Sequence, residues 1–406
     1  MSASIRFLTH FWTEPSRNRP LSKRATEARC LVAVICAIFA VASGSWPVEG
    51  IAGDADDAAR VIAGFPSSLN KFGKAENAPW RSYAQETSAY WSEYERRIGR
   101  AMRKWGCQEL DRAEGATVFY PFSGPDLPSV YQLFPDADRY VLVSMQKAEA
   151  PPRPENFSQE ELENYLAVFR KAWRFFGALG FFRTDDLEAV ENGRGIRMGM
   201  TGPLMAFAVR LGFEIESVDP IHFVRDGNDI ALRAWKPGEA DAWDSVRLTV
   251  WKDRRKVLVD YVRMDLSNAS VGTTADLRKW IEQIAGNPTL LKAASHLPQA
   301  PDFSILRNSI LGKAPSIVQD ETGIEYGALT EAFRVLLYGK FTRPNPSFDR
   351  DLQRALAAAY RSGAAVKPLP FRLGYEKNAG SAMQVAIRKT NAIQLRRTCV
   401  QSAIGR

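Results

Sequence analysis

The sequence predicts an α+β protein in which an α/β strand–helix–strand unit, an antiparallel sheet and flanking helices share one integrated core. Three observations predict it. The stretch "TVFYPFSGPDLPSVYQLFPDADRYVLVSM" (117–145) runs from an apolar segment through a Gly-Pro break and a short amphipathic stretch to a second apolar segment. Residues 221–267 then hold four extended runs separated by turn residues, and apolar residues at helical spacing recur on both sides. With 45% hydrophobic and 25% charged residues, the 406-residue chain has material for a sizeable core. Its length suggests two or three domains. The expected organisation is a leader or N-terminal anchor with linker at 1–53, a helical and α/β region at 54–215, and a sheet and C-terminal helical region at 216–406 that shares the preceding core.

"CLVAVICAIFAVASG" (30–44) is an apolar run behind a basic segment. It is short for a spanning helix, which needs about 20 residues, and suits the apolar region of a signal peptide. Ala40-Val41-Ala42 fits a small-residue cleavage pattern, and Ala52-Gly53 offers a second cut. The long polar segment before it keeps an uncleaved anchor at 30–44 open, and only that segment would then touch a membrane. Residues 1–42 carry six basic residues against two acidic ones, which is half of the +8 net charge. The rest of the chain gives no electrostatic argument for nucleic acid, and no such partner is expected. Cleavage removes Cys30 and Cys36 and leaves Cys107 and Cys399, a candidate disulfide in an oxidising compartment. With no CxxC and only His222 and His296 beyond the leader, no metal site is expected.

The first body segment, "GDADDAARVIAGFPSS", suggests a short amphipathic helix. In "APWRSYAQETSAYWSEYERRIGRAMRKWGCQEL" the aromatic residues from Trp80 to Trp105 recur at helical spacing, a stripe that reads as core. "ATVFYPF" and "RYVLVSM" are strands, expected parallel because a helix, "DLPSVYQLFPD", lies between them. Ser158 and Glu161 form a capping box before a long helix, and "GPLMAFAVRLGFEI" is another helix stopped by Gly212. In the middle region, Asp226-Gly227-Asn228 and Lys252–Arg255 mark hairpins, and Val246, Leu248 and Val250 alternate with Arg247, Thr249 and Trp251, as in a sheet with one wetter face. "TADLRKWIEQIAG", "NPTLLKAASHL" and "FSILRNSILGKA" are then expected as helices. "SIVQDETGIEYGAL" is expected as a strand, a hairpin turn with Gly323 at positive φ, and another extended piece. "DRDLQRALAAAYRSG" is a helix ending at Gly363, and "KPLPFRLGY" is extended.

The candidate site residues are few. Ser123 and Gly124 stand where a strand end meets a helix start, the place where α/β proteins bind ligands. Equally, a corner accounts for the whole stretch: Ser123 or Gly124 as N-cap, Pro125 at the first helical position, Asp126 against the helix dipole. The stretch lacks a dinucleotide-binding glycine pattern, and the second strand ends in Met145-Gln146 rather than in an acidic residue, so no cofactor is expected. Asp320 could act as acid, base or cation ligand, but its neighbour Glu321 should point away from it, and the turn reading suffices. His296, expected on a helix with Lys292 four positions before it, is the candidate general base. Trp235, Trp243 and Trp251 could stack on sugars or pack across strands.

"FYPFSGPD", "VQDETGIEY" and "KPLPFRLGY" together resemble boxes of an uncharacterised family of exported bacterial proteins, over about Trp80 to Lys389. The resemblance implies one integrated fold and assigns no catalytic residue. The expectation for function is an exported protein of the periplasm or cell surface that binds an envelope ligand or partner without catalysis. The alternative is a hydrolase of an envelope polymer such as a polysaccharide, with Asp126, Asp320 and His296 as its candidates. Convergence of these three in one concave pocket would favour the enzyme.

Overall fold

Phe119 and Tyr120 are neighbours on one strand, point to opposite faces of the sheet, and are both buried. The sheet is therefore covered on both sides. In the computed structural model, residues 49–66, 78–111, 113–179, 199–235, 243–344, 353–363, 365–373 and 381–390 are described. Residues 47–406 form one unit. Among the described residues, no helix is long and apolar enough to cross a membrane. Residues 1–48, which include the apolar run of the leader, lie outside the described residues, as does Cys399.

The chain has the predicted α+β architecture, organised by one mixed sheet of eleven strands in the order β10-β9-β11-β8-β7-β1-β2-β6-β5-β3-β4. The two strands flanking SGPD, β1 (Thr117–Pro121) and β2 (Arg139–Ser144), pair in parallel as expected, with Phe119 opposite Val141. The linking helix α4 (Leu127–Leu133) is buried along its whole length. Two further strands lie parallel to β1 on its other side: β7 (Thr289–Leu291) and then β8 (Ser316–Gln319). Beyond β2 come β6 (Arg255–Arg263), also parallel, and the antiparallel β5 (Val246–Lys252), β3 (Glu214–Asp226) and β4 (Asp229–Ala234). The two hairpins fall where the turn residues placed them. Gly227 is left-handed in one, and Asp253 and Arg254 are left-handed in the other, which matches the twist that two-residue hairpins need. The face expected to be wetter is so only in part: Trp251 is exposed and Arg247 half-buried, but Thr249 is buried, and Arg139 and Arg247 both donate to Asp260, whose side chain is wholly buried.

One face of the sheet carries Val118, Tyr120, Tyr140 and Leu142 and is covered by α1 (Glu49–Ile62), α2 (Ala78–Tyr94), α3 (Arg100–Glu109), α4, α5 (Gln159–Leu179) and α6 (Thr201–Arg210). The aromatic stripe is core, as its spacing implied: Trp80, Tyr83, Tyr94 and Trp105 are buried. Between α2 and α3 the helix widens to a π-turn at Glu95–Gly99. The capping box forms, with Ser158 N donating to Glu161 Oε2 at 2.7 Å and Glu161 N to Ser158 Oγ at 3.2 Å. The last carbonyls of α1 are taken by side chains of the body: Trp80 Nε1 donates to Val61 O at 3.0 Å, Tyr83 Oη to Ile62 O, and Arg210 Nε to Ala63 O at 2.8 Å. The other face carries Phe119, Val141 and Val143 under α7 (Asn268–Val271), α8 (Ala275–Ile284), α9 (Ser304–Lys313) and α10 (Tyr326–Ala332).

Three expectations are corrected. "NPTLLKAASHL" is not a helix: its apolar half is β7, buried on both faces between β1 and β8, and its polar half is a loop. A short apolar run with no wet face has the same pattern in either state, and only strand pairing distinguishes them. The segment after β8 is no hairpin; it leads into α10, and Gly323 does not take positive φ. Gly323 is required for space, since a Cβ there would lie 2.5 Å from Gln319 Oε1. Finally, the cap of α4 is Asp126 rather than Ser123 or Gly124, and the proline in its first turn is Pro128 rather than Pro125. Sequence reasoning also overlooked β9 (Phe333–Gly339) and β11 (Ala382–Arg388), which pair antiparallel along their length. β10 (Val366–Lys367) overlaps the stretch expected to be extended only at Lys367.

Candidate functional site

The connection from β1 goes to β2 on one side, while β7 enters the sheet on the other. This makes the β1–β7 boundary a topological switch point, where the loops after adjacent parallel strands diverge. The loops after β1, β7 and β8 carry Ser123, Gly124, Asp126, His296 and Asp320, and the sheet brings them to its one carboxyl edge.

Asp126 is the first anchor. Its Oδ2 accepts from Tyr120 Oη at 2.9 Å and from Lys292 Nζ at 2.8 Å; its Oδ1 accepts from Ser129 N at 3.2 Å. Lys292 directly follows β7, and its side chain is 0% exposed against 3% for Asp126. Asp320 is the second anchor. Its Oδ2 accepts from Ala293 N at 2.8 Å, and its Oδ1 from Thr322 N at 2.9 Å and Thr322 Oγ1 at 2.5 Å. Thr322 Oγ1 in turn accepts from Ala294 N at 2.7 Å. Burial raises the pKa of Asp320, against the lowering effect of these bonds and of the Lys292 charge. Glu321 is half-buried while Asp320 is buried.

His296 is the third. It lies on the loop after β7, not on a helix, with left-handed φ of 60°. Gln299 Nε2 lies 3.1 Å from His296 Nδ1 and donates to Gly323 O at 2.8 Å, which ties the histidine to the loop after β8. Burial lowers the His296 pKa to about 4, and the Gln299 bond opposes that only in part. The imidazole is therefore neutral at pH 7. Ser123 turns its hydroxyl back to Gly124 O at 3.0 Å, and its amide donates to Val143 O at 3.0 Å.

The backbone here is unusual. Phe122, Ala293, Ser295 and His296 all hold left-handed φ between 51° and 60°, a conformation that costs about 1–2 kcal/mol for such residues. A run of amides in such a conformation forms a concave anion cradle. In this chain the amides of Ala293 and Ala294 are filled by Asp320 and Thr322. The anion in the cradle is the protein's own carboxylate.

The fold gathers Asp126, Asp320, His296, Ser123 and Gly124, the residues named from the sequence, along one edge. Sequence reasoning undervalued Lys292, the group that joins Asp126 to the loop held by Asp320, because a helix was expected around it. A lysine directly after a buried apolar run was the available signal. Among the described residues, no cluster of three or more metal-ligating side chains occurs. A groove of about 270 Å³ between α2 and α5, lined by Tyr83, Leu166 and Arg170 among others, belongs to other elements than these loops. Comparison of the chain with known protein families, with curated proteins and with solved structures returns no match.

Proposed function

We propose that the chain is an exported envelope protein that binds a ligand or partner without turning it over. One observation carries this reading: the three candidate groups converge but are spent on the fold. Asp126 is neutralised by Lys292, Asp320 is enclosed by the loop after β7, and His296 is a neutral buried group. A general acid or base must reach its substrate, and both carboxylates lie within the protein. The basic leader with its apolar run supports export, and N-terminal sequencing of the mature protein is expected to start near Ser43 or Asp54. Either start keeps Asp56, which accepts from Ile215 N at 2.9 Å, although a start at Asp54 removes Glu49–Gly53 from α1.

A second reading, hydrolysis of an envelope polymer, is favoured by the left-handed residues on two loops beside a switch point. One experiment separates the two. The purified mature protein is incubated with isolated envelope polymers, and both co-sedimentation and released soluble fragments are measured. Binding without fragments is expected. Fragment release that disappears in a folded Asp126→Asn variant would establish the hydrolase instead.

A further inference from the structure

We infer that the sheet face around Trp251 is a binding platform for an uncharged polysaccharide chain. The inference rests on the reading above, that the protein binds an envelope component, and adds the surface and the chemistry of the ligand. Strand registers place the residues, because side chains paired across neighbouring strands share a face. Trp251 of β5 is opposite Lys256 of β6, Thr249 is opposite Leu258 and Ser217, and Arg247 is opposite Asp260 and Asp219. The reverse face of the same strands, with Leu248 and Val250, is core. The platform face continues to Val141 and Val262 under α7 to α10, yet its own apolar residues, Trp251 and Leu258, belong to neither core cluster. Trp251 is 38% exposed, and Met145 is the other exposed large apolar side chain among the described residues.

The indole is held in place. The register of β3 against β5 shifts between Ile215 and Ser217, and this bulge brings the Glu216 carboxylate to the ring, where it accepts from Trp251 Nε1. Lys256 Nζ stands 3.0 Å from Glu216 Oε2 and 5.6 Å from the ring centroid. An aromatic anchor fixed before binding loses little freedom on binding. The other two tryptophans of this region are engaged elsewhere. Trp235 stacks on His222 with centroids 4.1 Å apart, and Trp243 packs against the core.

Charge selects the occupant. The cations of this face are already paired with its acids: Arg139 and Arg247 with Asp260, and Lys256 with Glu216. Asp219 adds a further carboxylate opposite Arg247. A polyanion would meet the acids and a polycation the bases, so neither is drawn to the face as a whole. A protein partner calls for an apolar centre, and one indole does not supply it. A sugar ring is apolar on its faces and polar at its rim, so it can stack on Trp251 while its hydroxyls bond Glu216, Lys256 and Ser217. From Trp251 to Arg247 the strand runs about 14 Å, which offers a chain several contacts in a row.

The test is titration calorimetry of the mature protein, with cellohexaose and chitohexaose as uncharged probes and polygalacturonate as an acidic one. Binding of at least one hexasaccharide, and weaker or no binding of polygalacturonate, is expected. Trp251→Ala should weaken that binding about tenfold or more. Trp251→Leu, which keeps apolar bulk without a flat ring, should weaken it alike, and Met145→Ala should leave it unchanged. If Trp251→Ala does not fold, Trp251→Leu decides. No binding of either hexasaccharide, tighter binding of polygalacturonate, or binding that both Trp251 variants retain overturns the inference. Co-sedimentation with isolated envelope polymers that survives Trp251→Ala also overturns it, while leaving the reading of a binding protein intact. Failure of the wild type to bind any envelope polymer or probe overturns both.

Discussion

Lys292 Nζ stands 2.8 Å from Asp126 Oδ2, with both side chains buried, and 166 residues apart in the chain. The pair joins the loop after β7 to the cap of α4. A buried ion pair is weak evidence for net stability, because desolvation offsets most of the attraction. Its loss is another matter, since the remaining charge has no water to replace its partner.

Lys292→Met should therefore destabilise the protein by about 3–5 kcal/mol in urea titrations. Asp126→Asn keeps a residue able to cap α4 and accept from Tyr120, so its cost comes mainly from losing the charge opposite Lys292. The double variant should cost clearly less than the sum of the two singles. Additive costs would show that the two side chains do not act as a pair.

His296 should make stability depend on acid. Its folded pKa of about 4 lies below its ordinary 6.5, so the folded state binds fewer protons than the unfolded one. Its contribution is fully present above about pH 6.5 and is lost as pH falls through about 4. Asp320, whose pKa burial raises, titrates with the opposite sign and must be separated from it. His296→Asn removes the histidine while tolerating its left-handed backbone. The difference in unfolding free energy between wild type and His296→Asn, followed from pH 7 to 4, should shrink as pH falls. A constant difference would rule out a depressed histidine.

Two glycine substitutions should have opposite effects. Gly339 holds φ of +83°, and a Cβ there would lie 1.9 Å from Ser381 O, where β9 ends against β11. Gly339→Ala must shift backbone as well as strain φ, and a loss of roughly 2 kcal/mol or more is expected. Gly312 lies inside α9 with nothing within 4 Å of a Cβ, so Gly312→Ala should stabilise by about 0.5–1 kcal/mol. Calorimetry of both variants checks the signs.

The pairing of Cys107 with Cys399 is proposed from the cysteines that remain after leader cleavage. Cys107 lies on α3, beside the buried Trp105 and Gly106. A bridge would close a loop of roughly 290 residues, for which the chain-entropy account gives on the order of 5 kcal/mol, less any strain. Non-reducing peptide mapping of the exported protein should show the linked peptides. Two separately alkylated cysteines would exclude it.

The sequence by itself determined the elements whose signals are local. The capping box at Ser158, the hairpins at Gly227 and Asp253-Arg254, the helix stop at Gly212 and the aromatic stripe of α2 and α3 all lie where the residues place them. The strand–helix–strand order also fixed the parallel pairing of β1 with β2, since a crossover helix leaves little choice. Tertiary structure decided what depends on partners distant in the chain. "TLL" is a strand because β1 and β8 flank it, and β9 and β11 exist as a pair that no local turn announces. The convergence of Asp126, Lys292, Asp320 and His296 follows from the strand order, which places β7 and β8 beside β1 although 167 residues separate Pro121 from Pro288. Side-chain types can suggest acids, bases and cations. Only packing determines whether they face solvent or, as here for Asp126 and Lys292, each other.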